Sequence, residues 1–63
     1  MKLNERLISL RKDKRMSQQD LAEALNVSRQ AVSRWEVGIA IPSMDNLLAL
    51  SKLFGVPTDE LMG

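Results

Sequence analysis

The chain predicts an all-α domain of five short helices, and three observations carry that reading. Leu3, Leu7 and Leu10 recur at helical steps of four and three. Ser17, Ser28 and Ser43 each stand just ahead of an apolar-periodic stretch, where a serine oxygen can take up a free helix-start amide. No candidate strand runs longer than three residues.

The first helix is expected from about Leu3 to Lys14, with Lys12, Lys14 and Arg15 gathered where its last turn meets the next loop, favourable for the helix dipole. Ser17 opens the second, and Asp20 three residues on completes a capping box. Leu21, Ala22 and Leu25 form its inner face. Asn26 ends it, because asparagine tolerates the left-handed conformation that stops a helix. Ser28 caps a third helix reaching about Glu36, with Val32 and Trp35 inward and Gly38 suited to its stop. Pro42–Ser43 introduces a fourth from about Met44 to Phe54, with Leu47, Leu50 and Phe54 inward and Gly55 as terminator. Thr58 to Met62 has room for one or two turns more.

At 63 residues the chain is one domain, near the lower size limit for folding without covalent or metal staples. It has no cysteine and no histidine, which excludes disulfides, thiolate and imidazole metal sites, and every nucleophile–histidine pair. With no close acid pair in a plausible cleft either, an enzyme is not expected, and no motif calls for a cofactor or a small-molecule ligand. No apolar run is long enough to span a membrane. Asn4, Glu5 and Arg6 interrupt the start where a signal peptide would be continuously apolar. A cytoplasmic protein is the expectation.

The net charge of +1 conceals a polarity. Residues 1–34 hold eight bases against four acids, a balance of +4, and residues 35–63 hold one base against four acids, a balance of −3. That suits one face toward a polyanion and the other away from it.

The segment QQDLAEALNVSRQAVSRWEV, Gln18 to Val37, is the most informative stretch. Two helices meeting at roughly 90–120° through a turn of about three or four residues need a small residue at the crossing. Ala22 supplies it, with Leu21, Leu25, Val27, Val32 and Trp35 filling the wedge. Spacing alone leaves two readings open, a tight hairpin in a small bundle and a DNA-binding unit. The outward side chains favour the second. Arg29 and Gln30 open the third helix, and Ser33 and Arg34 follow about a turn later. Arginine donates two hydrogen bonds to guanine O6 and N7, and glutamine pairs with adenine N6 and N7. No acid precedes Glu36 on this helix. Gln18 and Gln19, in the first turn of the second helix, are placed to hold a phosphate together with free amides.

Together, SQQDLAEALNVSRQAVSRWEVG and IPSMDNLLALSKLFGVPTDEL resemble the helix-turn-helix domain of the Cro/C1-type (XRE-like) repressor family, over about Leu3 to Leu61. The resemblance implies a lambda-repressor-like fold with the helix-turn-helix at helices 2 and 3. It also implies sequence-specific binding of double-stranded DNA by a bacterial or phage transcription regulator, most often a repressor. By position, the family's base contacts fall on Arg29, Gln30 and Arg34, with Ser33 as an additional contact, and its phosphate-anchoring glutamine on Gln18. Ser28 and Ser43, at the starts of helices 3 and 4, join the expected DNA contacts. The family's structural ion pair falls on Arg11 and Glu36.

The sequence departs from that pattern after helix 3. Relatives often carry a lysine or arginine there, whereas Gly38-Ile39-Ala40-Ile41-Pro42 is uncharged. Ile39 and Ile41 are expected to be packing residues, and the amides near Ser43 and Met44 to hold a phosphate in place of a basic loop.

One domain of this kind covers half a palindromic site. A homodimer is expected through Val56, Pro57, Leu61 and Met62, though Val56 and Leu61 would equally close the core. A chain ending at Gly63 is also compatible with a piece of a longer regulator. An alternative of a different class is an antitoxin-like module that uses the same fold to hold another protein.

Overall fold

The computed structural model describes residues 2–62. Five helices follow in order: α1 (Leu3–Asp13), α2 (Gln18–Leu25), α3 (Arg29–Val37), α4 (Met44–Phe54) and α5 (Thr58–Met62). None is long and apolar enough to cross a membrane.

Local chemistry sets the boundaries. The Ser17 hydroxyl accepts from the Asp20 amide, and the Asp20 carboxylate accepts from the Ser17 amide, each at 2.9 Å. Ser28 and Ser43 cap α3 and α4 by accepting from the Ala31 and Asn46 amides. Asn26 adopts the left-handed conformation at φ 58°, so α2 ends abruptly and Val27 turns back into the core. Arg15 is also left-handed, at φ 56°. Its sequence gives no sign of this, since arginine has no local polar group to favour that conformation. Helix α3 extends one residue past the expected end, to Val37, before Gly38 stops it at φ 87°.

Packing places α3 against both α1 and α2, with α5 bridging α1 and α4. Leu7, Leu21, Ala22, Val32, Trp35, Leu50 and Leu61 form one buried cluster. Ala22 is fully buried at the α2–α3 crossing, where its single methyl lets the two backbones approach.

Two expectations are corrected here. Ile39 and Ile41 are 75% and 74% exposed, so they do not pack in the core. The loop must carry the chain from α3 to α4, which packs against α2 and α5, and Ala40 and Pro42 turn inward on the way. Leu61, given with the dimer surface but equally able to close the core, is fully buried and does the latter, so it is not available to an interface. Val56 is half-buried against the same cluster, which leaves only Pro57 and Met62 of the four exposed.

Candidate nucleic-acid interface

The interface is built on α3, whose two sides have opposite character. Val32, Trp35 and Glu36 face inward and are buried. Gln30 and Arg34 are exposed on the other side with Ser33 half-exposed beside them, and Arg29 is exposed in the first turn at the edge of that side. At about 100° per residue, positions 30, 33, 34 and 37 form one narrow stripe. Neither Arg29 nor Arg34 has a carboxylate partner among the described residues. Both guanidiniums keep their full set of donors for a ligand.

Glu36 would spoil this face if it pointed outward, and the fold disposes of it. Its carboxylate accepts from Arg11 Nε at 2.7 Å, Arg11 Nη2 at 3.0 Å and Gln18 Nε2 at 3.0 Å. Arg11 also donates through Nη1 to the Met16 carbonyl at 2.8 Å, which ties down the α1–α2 connection. Asn4 Nδ2 lies 3.5 Å from the Glu36 backbone carbonyl, at the limit of a hydrogen bond. Burial alone would raise the Glu36 carboxyl, but the hydrogen bonds from Arg11 and Gln18 and the Arg11 charge outweigh it, so it titrates below the ordinary carboxylate range. The hydrogen bond to Glu36 in turn raises the Arg11 guanidinium further. The pair therefore stays ionised, neutralised and turned away from the exposed face of α3.

The other expected contacts fall in different settings. Gln18 is half-buried, and its side-chain amide is committed to Glu36. That bond joins α2 to α3 across 18 residues of sequence, and nothing in the local pattern announces it. Gln19 is exposed and donates to Glu23 Oε2 at 3.0 Å along α2. The backbone N–H groups of Gln18 and Gln19, in the first turn of α2, have no acceptor among the described residues. Ser28 and Ser43 are exposed at the starts of α3 and α4, with their hydroxyl oxygens used as caps. Arg29, Gln30, Ser33 and Arg34 are brought together, and the amides opening α2 and α4 lie apart from them in the chain.

The sequence matches the helix-turn-helix family over residues 7–61. The chain belongs to the XRE-type helix-turn-helix family. Among curated relatives it is 48% identical over 62 residues to the HTH-type transcriptional activator BcrR of Enterococcus faecalis, covering 98% of this chain and 30% of that protein. It is 42% identical to the regulator DicA of Escherichia coli, over 97% of this chain and 46% of that one. To the cryptic phage CTXphi transcriptional repressor RstR of Vibrio cholerae it is 32% identical, over 100% of this chain and 56% of RstR. This helix-turn-helix chain thus spans about half, or less, of the length of these relatives. The P22 c2 repressor in complex with a synthetic operator superposes with a TM-score of 0.93 at 35% identity, over 98% of this chain and 94% of that one. SinR in complex with DNA gives 0.86 at 27% identity, over 97% and 98%. The five-helix architecture is that of the lambda- and P22-repressor-like DNA-binding domains.

Proposed function

We propose that this helix-turn-helix domain binds double-stranded DNA sequence-specifically as the DNA-reading part of a transcription regulator, with α3 in the major groove. The observation that carries the reading is the outer face of α3. Two arginines without carboxylate partners flank a glutamine there, on a helix whose one acid is buried and neutralised. Arg29 and Arg34 read guanine O6 and N7, Gln30 reads adenine N6 and N7, and Ser33 adds a shorter polar contact. The N–H groups opening α2 at Gln18 and Gln19, and those opening α4 beside Ser43, hold phosphates and set the register. Gln18 contributes through its backbone and through the rigidity its side chain gives to the α2–α3 angle. With the α3–α4 loop uncharged, the salt dependence of binding is shallower than a basic loop would give.

Occupancy of promoter DNA excludes a polymerase without any further contact, so repression is the output that needs least. The binding unit is a homodimer, because one domain reads only half of a two-fold-symmetric site. The test is titration of purified protein against a DNA site obtained by in vitro selection, at two salt concentrations. Specific binding that weakens as salt rises supports the reading. Stoichiometric capture of one protein with no salt-sensitive DNA shift supports the antitoxin-like module instead.

A further inference from the structure

The connection between α1 and α2 carries the densest group of bases in the chain. Residues 12–15 read Lys-Asp-Lys-Arg, three bases to one acid, and all four are exposed. Arg6 and Arg11 are paired with Glu60 and Glu36, but Lys12, Lys14 and Arg15 make no ion pair among the described residues. Arg15 adds a second observation. Its backbone is left-handed, at φ 56°, where a β-carbon crowds the following carbonyl. The Arg15 amide donates to the Lys12 carbonyl at 2.9 Å and the Met16 amide to the Arg11 carbonyl at 3.1 Å, which closes α1. Glycine would make the same closure with less strain. The helix dipole accounts for Lys12, in the last turn of α1, but asks for no arginine in a left-handed position. A strained residue whose guanidinium has no partner in the fold points to a ligand outside it.

The neighbouring contacts say where that ligand lies. Arg11 donates to the Met16 carbonyl and to Glu36, and Glu36 also accepts from Gln18. The end of α1, the start of α2 and the end of α3 are thereby held at one node. Lys12 stands close enough to that node to help lower the Glu36 carboxyl. Arg15 precedes by three residues the Gln18 amide, which has no acceptor among the described residues. The Asp20 carboxylate, the next acid along the chain, is engaged by the Ser17 amide.

Resting on the DNA-binding reading above, we propose that Arg15, with Lys12 and Lys14, forms a separate phosphate clamp on double-stranded DNA. It grips backbone phosphates next to the one held by the amides opening α2. The Arg15 guanidinium takes a phosphate through two parallel hydrogen bonds, and the lysines act as point charges. The clamp reads no bases, so it strengthens binding to any sequence. It also supplies charge that the α3–α4 loop lacks, since no base occurs between Arg34 and Lys52. Two features select DNA over other anionic partners. The cluster is continuous with the free amides of α2, and among the described residues every exposed large apolar side chain follows Arg34. The α1–α2 connection therefore has no apolar side chain to enter a bilayer or to form the centre of a protein interface.

The test compares the parent, Arg15→Gly and the double variant Lys12→Gln/Lys14→Gln on a selected DNA site and on a scrambled one. Arg15→Gly removes the charge and the left-handed strain together, so its two effects have opposite sign. The Tm is expected to rise by about 4 °C. Affinity is expected to fall about three- to tenfold at about 0.1 M salt, equally on both DNAs, with the salt slope lower by about one. The double variant should lower that slope by about two. Neutralising single phosphates of the selected site as methylphosphonates should reveal one position that costs the parent affinity and costs Arg15→Gly nothing further. Affinity and slope equal to the parent's in both variants would overturn the inference while the DNA reading stood. A lowered Tm for Arg15→Gly would show that the side chain serves the fold and would overturn it as well. Loss of binding to phosphatidylglycerol vesicles without loss on DNA would assign the cluster to a lipid surface instead. If the parent bound no DNA at all, the reading and the inference would both be overturned.

Discussion

The two connections that flank α3 differ in almost every physical respect. On one side, Asn26, Val27 and Ser28 make a tight turn with a left-handed asparagine, a core-facing valine and a capping serine. On the other, Gly38 to Ser43 makes a longer loop whose two isoleucines are in solvent. The first connection has one task, which is to fix the angle between α2 and α3, and every residue in it serves that angle. The second fixes the path to α4 through Gly38, Ala40 and Pro42, and leaves the side chains of Ile39 and Ile41 outside the core. A turn built for geometry tolerates little change, while a loop with surplus apolar surface can be altered without unfolding the domain.

The sharpest way to break this contrast is at the polar node behind the first connection. Glu36→Ala removes the acceptor of two Arg11 hydrogen bonds and one from Gln18 and leaves a mostly buried guanidinium without its counter-charge. The expected loss is about 3–5 kcal/mol of stability, measured by urea unfolding, which for so small a domain is a large share of the total. Ile41→Gln, by comparison, should change stability by less than about 0.5 kcal/mol.

The outer face of α3 separates binding from folding. Arg29→Ala and Arg34→Ala should each weaken binding to the preferred site by about 1–3 kcal/mol, while the urea midpoint stays at the parent value. Loss of stability in step with binding would mean that these side chains hold the fold rather than the ligand.

A smaller effect tests the turn itself. Asn26→Ala puts a β-carbon without a local hydrogen-bonding group into the left-handed conformation, at a cost of about 1–2 kcal/mol. Asn26→Gly should be close to neutral by the same measurement.

Acid should act on the same connection. The Glu36 carboxyl titrates below its ordinary value of 4.5, so the unfolded chain takes up that proton more readily than the folded one. Its contribution is complete at neutral pH, stays complete down to the ordinary carboxylate range, and is lost as pH falls through the depressed folded value. Asp20, lowered mainly by the hydrogen bond from the Ser17 amide, adds to the same acid limb. Glu36→Gln should flatten stability against pH below about 4.5 compared with the parent.

The same contrast explains what was legible in the sequence. The five helices, the Ser17–Asp20 box, the Asn26 stop and the inward Leu21, Ala22, Val32 and Trp35 all follow from periodicity and capping, which act over a few residues. Arg29, Gln30 and Arg34 could be placed on an outer face for the same reason. The bond from Gln18 to Glu36 could not, because only the angle between two packed helices brings them within reach. Ile39 and Ile41 have no helical period to say which way they point, and apolar character alone suggested burial. Leu61 had two places open to it in the sequence, the core and a dimer surface, and it takes the core. On a helix of five residues, one turn sends Leu61 into the core and Met62 to the surface.

The central claim is that α3 reads bases through its outer face. In vitro selection of DNA followed by sequencing, run in parallel on the parent and on Arg34→Ala, tests it most directly. The parent is expected to select a defined half-site, and the variant to lose the preference for guanine at one position with the other positions kept. An identical half-site from both proteins would contradict it.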